Sequence, residues 1–262
     1  MTTAFARSSG IKLAALIYPF ALLLLLWWQA SSHGWLGNQF VSPTPDRVWA
    51  SAAASFADGS LVSETLITLE RVLAAFAIAL VCGGTIGILV GRIAVVRSAL
   101  RPLIAFLFPT PKVAIYPAML IILGLGSSSK IGFGVAEAIF PILLGTAAAA
   151  SQVETRLVWS ARALGTPESR ILWRVVLPAA LGGMMTGARI ALVGALIGVF
   201  LGEMIAGADG LGHMMAVSYR TLHTADMYVA VITVSLVGLC LDRIFLFTRG
   251  RLLGWSAEGD HA

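Results

Sequence analysis

The hydrophobic positions of this chain gather into long unbroken runs, without the alternation of a half-buried strand or the single stripe of a surface helix. Six runs stand out, at residues 13–28, 65–91, 103–125, 131–150, 175–205 and 227–247. Each approaches or exceeds the ~17–25 residues that cross a bilayer as a helix. Backbone polar groups in lipid need internal partners, which favours helices over isolated strands. The pattern predicts an all-α integral membrane protein with about six transmembrane helices.

The segments between the runs differ in kind. Residues 31–63 form an outer connection rich in Ser, Gly and Pro, and residues 48–56 within it suit the membrane interface. Residues 207–226 read as a second outer loop, and "GSSSK" at 126–130 as a tight turn between the third and fourth runs. The third run carries Pro109, Pro111 and Pro117. Each removes an amide donor and obstructs the turn before it. Two arrangements follow: a short interfacial helix ending at Pro109 with a span from near Val113, or broken backbone facing protein or water. No internal repeat or low-complexity tract is present, and there is no room for a separate soluble domain. Small residues recur at helical spacing in "GGTIGILVG" and "GARIALVGALIGVFLG", which lets spans approach closely.

Composition agrees with this class, at 58% hydrophobic and 12% charged residues. Charge adds orientation. Arg7 and Lys12, then Arg92, Arg97 and Arg101, then Arg156, Arg162, Arg170 and Arg174, then Arg243, Arg249 and Arg251 fall on one side of a six-span topology. Lys and Arg stay cytoplasmic, so both termini are expected inside. The net charge of +5 is therefore topological, and no nucleic-acid partner is implied. The first run lacks a small-x-small cleavage site, and Trp27 and Trp28 suit an interface, so an uncleaved span is expected. Cys82 and Cys240 lie in apolar runs without metal-ligand spacing and read as packing residues.

One cytoplasmic segment is conspicuously polar: "ARALGTPESRILWRVVLP", residues 161–178. Glu154 to Leu164 suits a helix, and Gly165 the left-handed position that ends one. Thr166 then serves as N-cap, Pro167 as first helical residue, and Glu168 as an anion at the positive helix end. Two short helices at a stiff corner would present a knob to a cytoplasmic partner.

This segment resembles the "EAA" loop of binding-protein-dependent ABC importer permeases, E-A-A-x3-G-x9-I-x-L-P. Here it reads Trp159-Ser160-Ala161, three residues, Gly165, nine residues, then Val175-Val176-Leu177-Pro178. Trp159 stands where the family has Glu, and Ser160 where it has Ala. "TPDRVW", "TLITLERVLAAFAIALVCGGTIGILVGR", "FPTPKVAIYPAMLIILGLGSSSKI" and "GEMIAGADGLGHMM" extend the likeness from about residue 40 to 250. Together they resemble the nitrate/sulfonate/taurine branch.

The resemblance implies a type I ABC importer transmembrane fold in a bacterial inner membrane. It divides the chain into an N-terminal helix and outer connection (1–60), a permease domain (61–248) with a coupling loop at 151–175, and a cytoplasmic tail (249–262). It implies a homodimer, two cytoplasmic ATPase subunits and a periplasmic or lipid-anchored solute-binding protein. Trp159, Ser160, Ala161, Arg162, Leu164 and Gly165 would meet the ATPase, with Ala161 and Leu164 on one helix face and Arg162 directed at the partner or its rim. Trp159 would either pack on that partner or anchor the helix at the lipid interface. ATP and Mg would be held by the ATPases, and no cofactor by this chain. The implied cargo is a small anion such as a sulfonate or nitrate, with a neutral or heterocyclic nutrient as the alternative.

Ionisable residues within spans are costly and need a partner or a function. Lys112 and Glu137 are candidates for the translocation path. Arg189 suits a structural ion pair or a solute contact, and Asp242, beside Arg243, an interfacial charge. Glu203 either touches solute or tethers the outer gate loop, where Gly210 and Gly212 complete the gate candidates. His213 and His223 are isolated, without convergent metal ligands. "GLGSSSK" at 124–130 lacks the Gly before Lys and the Ser or Thr after it that a phosphate-binding loop needs. No catalytic residue emerges, and the energy for transport must come from another subunit. An ion-coupled secondary transporter would show pseudo-repeated halves. An intramembrane enzyme would need a nucleophile with its base, or clustered ligands.

Overall fold

The computed structural model describes residues 18–19, 21–35 and 41–253. Arg7, Lys12, the start of the first run and most of the expected cytoplasmic tail lie outside them. In chain order the elements are α1 (Ala21–Ser32), α2 (Pro45–Ala57), α3 (Ser60–Arg92), α4 (Ala94–Leu107), α5 (Lys112–Leu123) and α6 (Ser127–Gln152). There follow α7 (Thr155–Ala163), α8 (Glu168–Ile171), α9 (Leu177–Ala206), α10 (Leu211–Arg220) and α11 (Thr224–Leu252). Among the described residues, four elements are long and apolar enough to cross a bilayer: α3, α6, the continuous stretch Glu168–Ala206, and α11. The pair α4 and α5 makes a fifth if counted together, and it is bent by 101°.

That bend decides between the two expectations for the third run. Pro111 caps α5 with extended backbone, and α4 stops at Leu107. With 12 residues, α5 covers about 18 Å, well short of a ~30 Å hydrocarbon core. The run is a broken element, and no plain span starts near Val113. Two other expectations change. "GSSSK" is not a turn: the chain turns at Gly124, in the left-handed region at φ +79, and Ser127 already opens α6. Residues 207–226 hold a helix, α10, where an open loop was expected. In the first outer connection, Pro45 and Asp46 start α2, where a missing amide is harmless and an anion meets the helix dipole.

The described chain divides into two compact units. One combines the residues up to Val62 with Met214–Ile232. Within it Trp27 stacks on Tyr228 with centroids 5.5 Å apart, and the Ser51 hydroxyl donates to the Asp226 carboxylate.

The other unit combines Ser63–His213 with residues 233–253 and is organised by α3, α6 and α9. Its core is built from small side chains: Val72, Ala75 and Ala79 of α3, Ala138 and Ile142 of α6, and Ala188, Ala191, Ala195 and Val199 of α9. Lipid tails are as apolar as these side chains, so close packing has to hold the helices together. Glycines make that closeness possible. A Cβ on Gly187 would strike the Pro141 carbonyl oxygen, and one on Gly198 would lie 2.9 Å from the Gly134 Cα. On α3, a Cβ at Gly87 would lie 2.7 Å from the Leu143 carbonyl oxygen. Positions of α9 meet α6 in descending order, so these two are antiparallel; α3 meets α6 in ascending order, so that pair is parallel. Cys82 and Cys240, expected in the packing, are exposed; in an apolar solvent an outward face is also apolar.

A second cluster joins Ile88, Ala150 and Val153 to Val158, Ile171, Val176 and Ala180. It seats the corner between α7 and α8 on the ends of α3, α6 and α9. Arg97 caps α3 here, donating to the carbonyls of Val90 at 2.9 Å and Gly91 at 2.6 Å, as cations do at helix C-termini. Between α8 and α9 the helix widens into a π turn, Leu172–Val176. Pro178 explains it, because proline donates no amide and its ring crowds the carbonyl four residues back.

Gly187→Val should cost about 1–3 kcal/mol by overpacking, seen as a lower unfolding temperature of the purified protein in mild detergent. Gly250→Ala, at a helical site with nothing within 4 Å of the added carbon, should be neutral or stabilising by up to ~1 kcal/mol. Equal behaviour of the two variants would contradict the packing described.

Candidate functional site

The expected corner is built by backbone. The Gly165 amide donates to the Arg162 carbonyl at 2.9 Å and the Thr166 amide to the Ala161 carbonyl at 3.1 Å. This is the paired closure of a Schellman motif, and it requires the left-handed Gly165 at φ +75. Because this closure engages Thr166, the next helix starts one residue later than expected. Pro167 is its N-cap, without a side-chain cap bond, and Glu168 opens α8.

Arg162 is paired within the corner itself. Its Nε and Nη2 donate to the two Glu168 carboxylate oxygens at 2.5 and 3.1 Å, bracing the corner. This pairing holds the Glu168 carboxyl below its usual range and raises Arg162. Ala161 and Leu164 also do not share an outward face. Ala161 packs against the corner cluster, whereas Leu164, beyond the last turn of α7, is 86% exposed. Trp159 is 63% exposed, so the apolar surface offered outward is Trp159 and Leu164, beside exposed Ser160 and Arg162.

The far end of α9 carries a buried polar network. Glu203 is fully buried. Its Oε1 accepts from Arg71 Nη1 at 2.9 Å, and its Oε2 from the Thr68 hydroxyl at 2.9 Å and the Gly212 amide at 3.1 Å. Arg71 also grips the Asp209 carboxylate at 2.6 Å and the Ser127 hydroxyl at 3.0 Å. Thr68 accepts the Leu211 amide at 2.8 Å, and Glu64 accepts the amide of Gly210, which stands at φ +93. The carboxylates thus satisfy amides at the start of α10, the positive end of that helix. Of the two roles open to Glu203, tethering the loop that holds Gly210 and Gly212 is what the geometry delivers. Glu64, Thr68 and Arg71 join this site without standing among the charges singled out by the pattern of spans. Their signal was present, as polar residues four and three apart on one face of an apolar helix.

Lys112, Glu137 and Arg189 come together elsewhere, with Asp242, on a cavity of about 680 Å³ that Phe108, Phe140 and Ile190 also line. Lys112 Nζ lies 3.9 Å from the Glu137 carboxylate. Arg189 forks onto Asp242 at 2.7 and 2.9 Å. Asp242 is thus a partner for Arg189 across helices. Glu203 does not enter this cavity. Charged groups lining a cavity within spans are the usual mark of a polar path.

A polytopic helical protein with a solute-sized cavity carrying charged side chains and a braced corner is, as a class, a membrane transport subunit. Residues 83–252 match the family described as binding-protein-dependent transport system inner membrane component. The chain is 28% identical to the taurine transport system permease protein of Escherichia coli, over 92% of this chain and 90% of that one. It is 34% identical to the bicarbonate transport system permease protein of Synechococcus elongatus, over 91% of each. With the riboflavin transport system permease protein of Chloroflexus aurantiacus it shares 30% identity, over 93% of this chain and 91% of that one. The chain belongs to this family: it is an ABC transporter permease, an inner membrane component of a binding-protein-dependent transport system.

Glu203→Ala should cost about 3–5 kcal/mol, because it strips the buried Arg71 of its buried partner, and Glu203→Gln should cost less by keeping the amide and hydroxyl contacts. Unfolding in detergent measures both, and a wild-type midpoint for Glu203→Ala would remove the network as a support. At the corner, a depressed carboxyl pKa means stabilisation that is full above the unfolded value and fades as pH falls through the folded one. A spin label at Leu164→Cys in a Cys82→Ser, Cys240→Ser background should keep constant mobility from about pH 8 to 5 and loosen only in stronger acid. Loosening near neutrality would show that the Arg162–Glu168 fork does not brace the corner.

Proposed function

We propose that this permease is the membrane-spanning subunit of an ATP-driven importer, working as a pair of identical chains. Two cytoplasmic ATPase subunits, holding ATP and Mg, grip the corner within residues 151–175. An external binding protein delivers a small solute with an anionic group, such as a sulfonate or nitrate. Relatives named for taurine and bicarbonate support a small anionic cargo, and the Lys112 and Arg189 cations on the cavity are compatible with it.

The observation that carries this reading is the continuity between corner and network. Val158 and Ile171 key the corner into Val153, Val176 and Ala180. From there α9 runs 30 residues, about 45 Å, to the Glu203 network. Closure of the ATPases pulls on Trp159 and Leu164, turns the corner as a rigid body, and shifts α9. The strain reaches the network around Glu203 and Arg71, which holds the loop at the other end. Alternating access then couples one nucleotide cycle to one opening of the path.

Gly165→Val should uncouple the complex. The left-handed corner costs a non-glycine residue about 1–2 kcal/mol, while open space around Gly165 spares the spans. In proteoliposomes its ATPase activity should no longer respond to loaded binding protein. A cysteine at Leu164 should crosslink to the ATPase groove to an extent that depends on nucleotide. Unchanged transport by Gly165→Val, or equal crosslinking in every nucleotide state, would reject the corner as the force-bearing element.

A further inference from the structure

Two cavities lie along the α6–α9 pair. The first is the charged one described above. The second, of about 500 Å³, runs on from it past Gly145 and Ala148 of α6 and Gly183 of α9 to Gln152, the last residue of α6. Ala149 on its wall also packs against the corner cluster, so this chamber leads to the corner end. Among the described residues, none of those lining it is charged. Phe108, Pro141 and Ile190 line both cavities and form an apolar boundary between them, near the middle of α6.

These three residues differ in freedom. Pro141 and Ile190 belong to helices in backbone contact, since a Cβ at Gly187 would strike the Pro141 carbonyl oxygen. That side of the boundary is fixed. Phe108 belongs to neither helix. It follows the last residue of α4 and opens the break, residues 108–111, at which the chain bends by 101°. Pro109 and Pro111 donate no amide there, and the Thr110 amide reaches the Leu107 carbonyl at 3.3 Å. Short irregular joints of this kind absorb the backbone rotations of hinged motions, and broken backbone at membrane depth survives where it lines a cavity. The Phe108 side chain is held lightly. Its ring meets Phe140 at 6.0 Å, tilted by 58°, and Lys112 Nζ lies 5.8 Å from its centroid while donating to its carbonyl at 3.2 Å.

From this geometry we propose that Phe108 is a gate on the solute path, an apolar plug carried by the proline break and closing against the fixed wall of Pro141 and Ile190. This rests on the importer reading above for the direction of travel. The Glu203 network holds the loop at one end of α9, and Phe108 closes the passage from the charged chamber toward the corner end. An apolar constriction stops hydrated solutes by dewetting, so the barrier needs no charge and does not depend on the sign of the cargo. Displacing one side chain opens it while α6 and α9 keep their packing. The break thereby acquires a use: it places a movable aromatic side chain at mid-depth beside two helices that cannot part.

The test uses the assembled, nucleotide-free transporter in inside-out vesicles, in a Cys82→Ser, Cys240→Ser background. Single cysteines are placed by Ala148→Cys in the second cavity and by Val193→Cys in the first. The probe is 2-sulfonatoethyl methanethiosulfonate, a charged thiol reagent that crosses lipid poorly, added from the corner side. With Phe108 present, the cysteine at 193 should react at least about tenfold more slowly than the one at 148. Phe108→Ala should speed the reaction at 193 at least about tenfold and leave 148 within about twofold. Phe108→Trp, which keeps a bulky apolar plug, should keep 193 slow. The cysteine at 148 reports general loosening, because misfolding would change both sites. Equal rates at the two sites with Phe108 present, no gain at 193 in Phe108→Ala, or a parallel gain at both sites would each overturn the proposal. Crosslinking at Leu164 reads the importer mechanism separately: nucleotide-dependent crosslinking without a Phe108 effect rejects only the gate. A Phe108 effect with nucleotide-independent crosslinking rejects only the coupling mechanism.

Discussion

The structure depends on the backbone-to-backbone approach of α6 and α9. Where a Cβ at Gly187 would strike Pro141 and one at Gly198 would press on Gly134, two helices meet without intervening side chains. Membrane helices gain no hydrophobic drive from meeting each other, so this surface fit has to supply the association. It also sets what surrounds it. With α9 pinned to α6, Glu203 comes to Thr68 and Arg71 at one end, and Val176 and Ala180 come under the corner at the other. A scaffold held by fit resists local deformation, so displacement at one end is passed along the helix.

Charge is distributed over this scaffold in three places with three different accommodations. At the corner, Arg162 and Glu168 are exposed, and their value is geometric more than energetic, since surface pairs contribute little. Around Glu203 that carboxylate and Arg71 are buried and both Glu203 oxygens are engaged, which makes the pair costly to break. In the cavity, Lys112 and Glu137 are opposite in sign but lie 3.9 Å apart, too far for a hydrogen bond to each other. The first group is a brace, the second a lock, and the third a loose pair on the cavity wall.

The chain's own pattern carried the class and much of the detail. Long apolar runs determined helices, because an unbroken apolar run in lipid satisfies its backbone within itself only as a helix, and the arginine bias set the expectation for their sides. Gly165 was legible because only a left-handed residue closes that corner. The three prolines were legible as a disruption, although a broken element and a shortened span predict the same letters. Glu203 stands out in the sequence as a costly charge with two possible uses, whereas its partners on α3 lie more than 130 positions away and share no local pattern with it.

What the sequence by itself determined is therefore local: where backbone must be helical, where it must break, and which charges need a reason to be buried. Tertiary structure alone decided which charges meet. Arg189 and Asp242 are 53 positions apart, and Arg71 and Glu203 are 132 apart. Their pairing follows from the crossing of helices whose register is set by small residues over several turns. Likewise Ala161 and Leu164 are three apart on paper, yet the last turn of α7 ends between them, so one packs inward and the other faces out. Periodicity describes a helix that continues. Where the chain turns, and what lies across from it, is decided by packing.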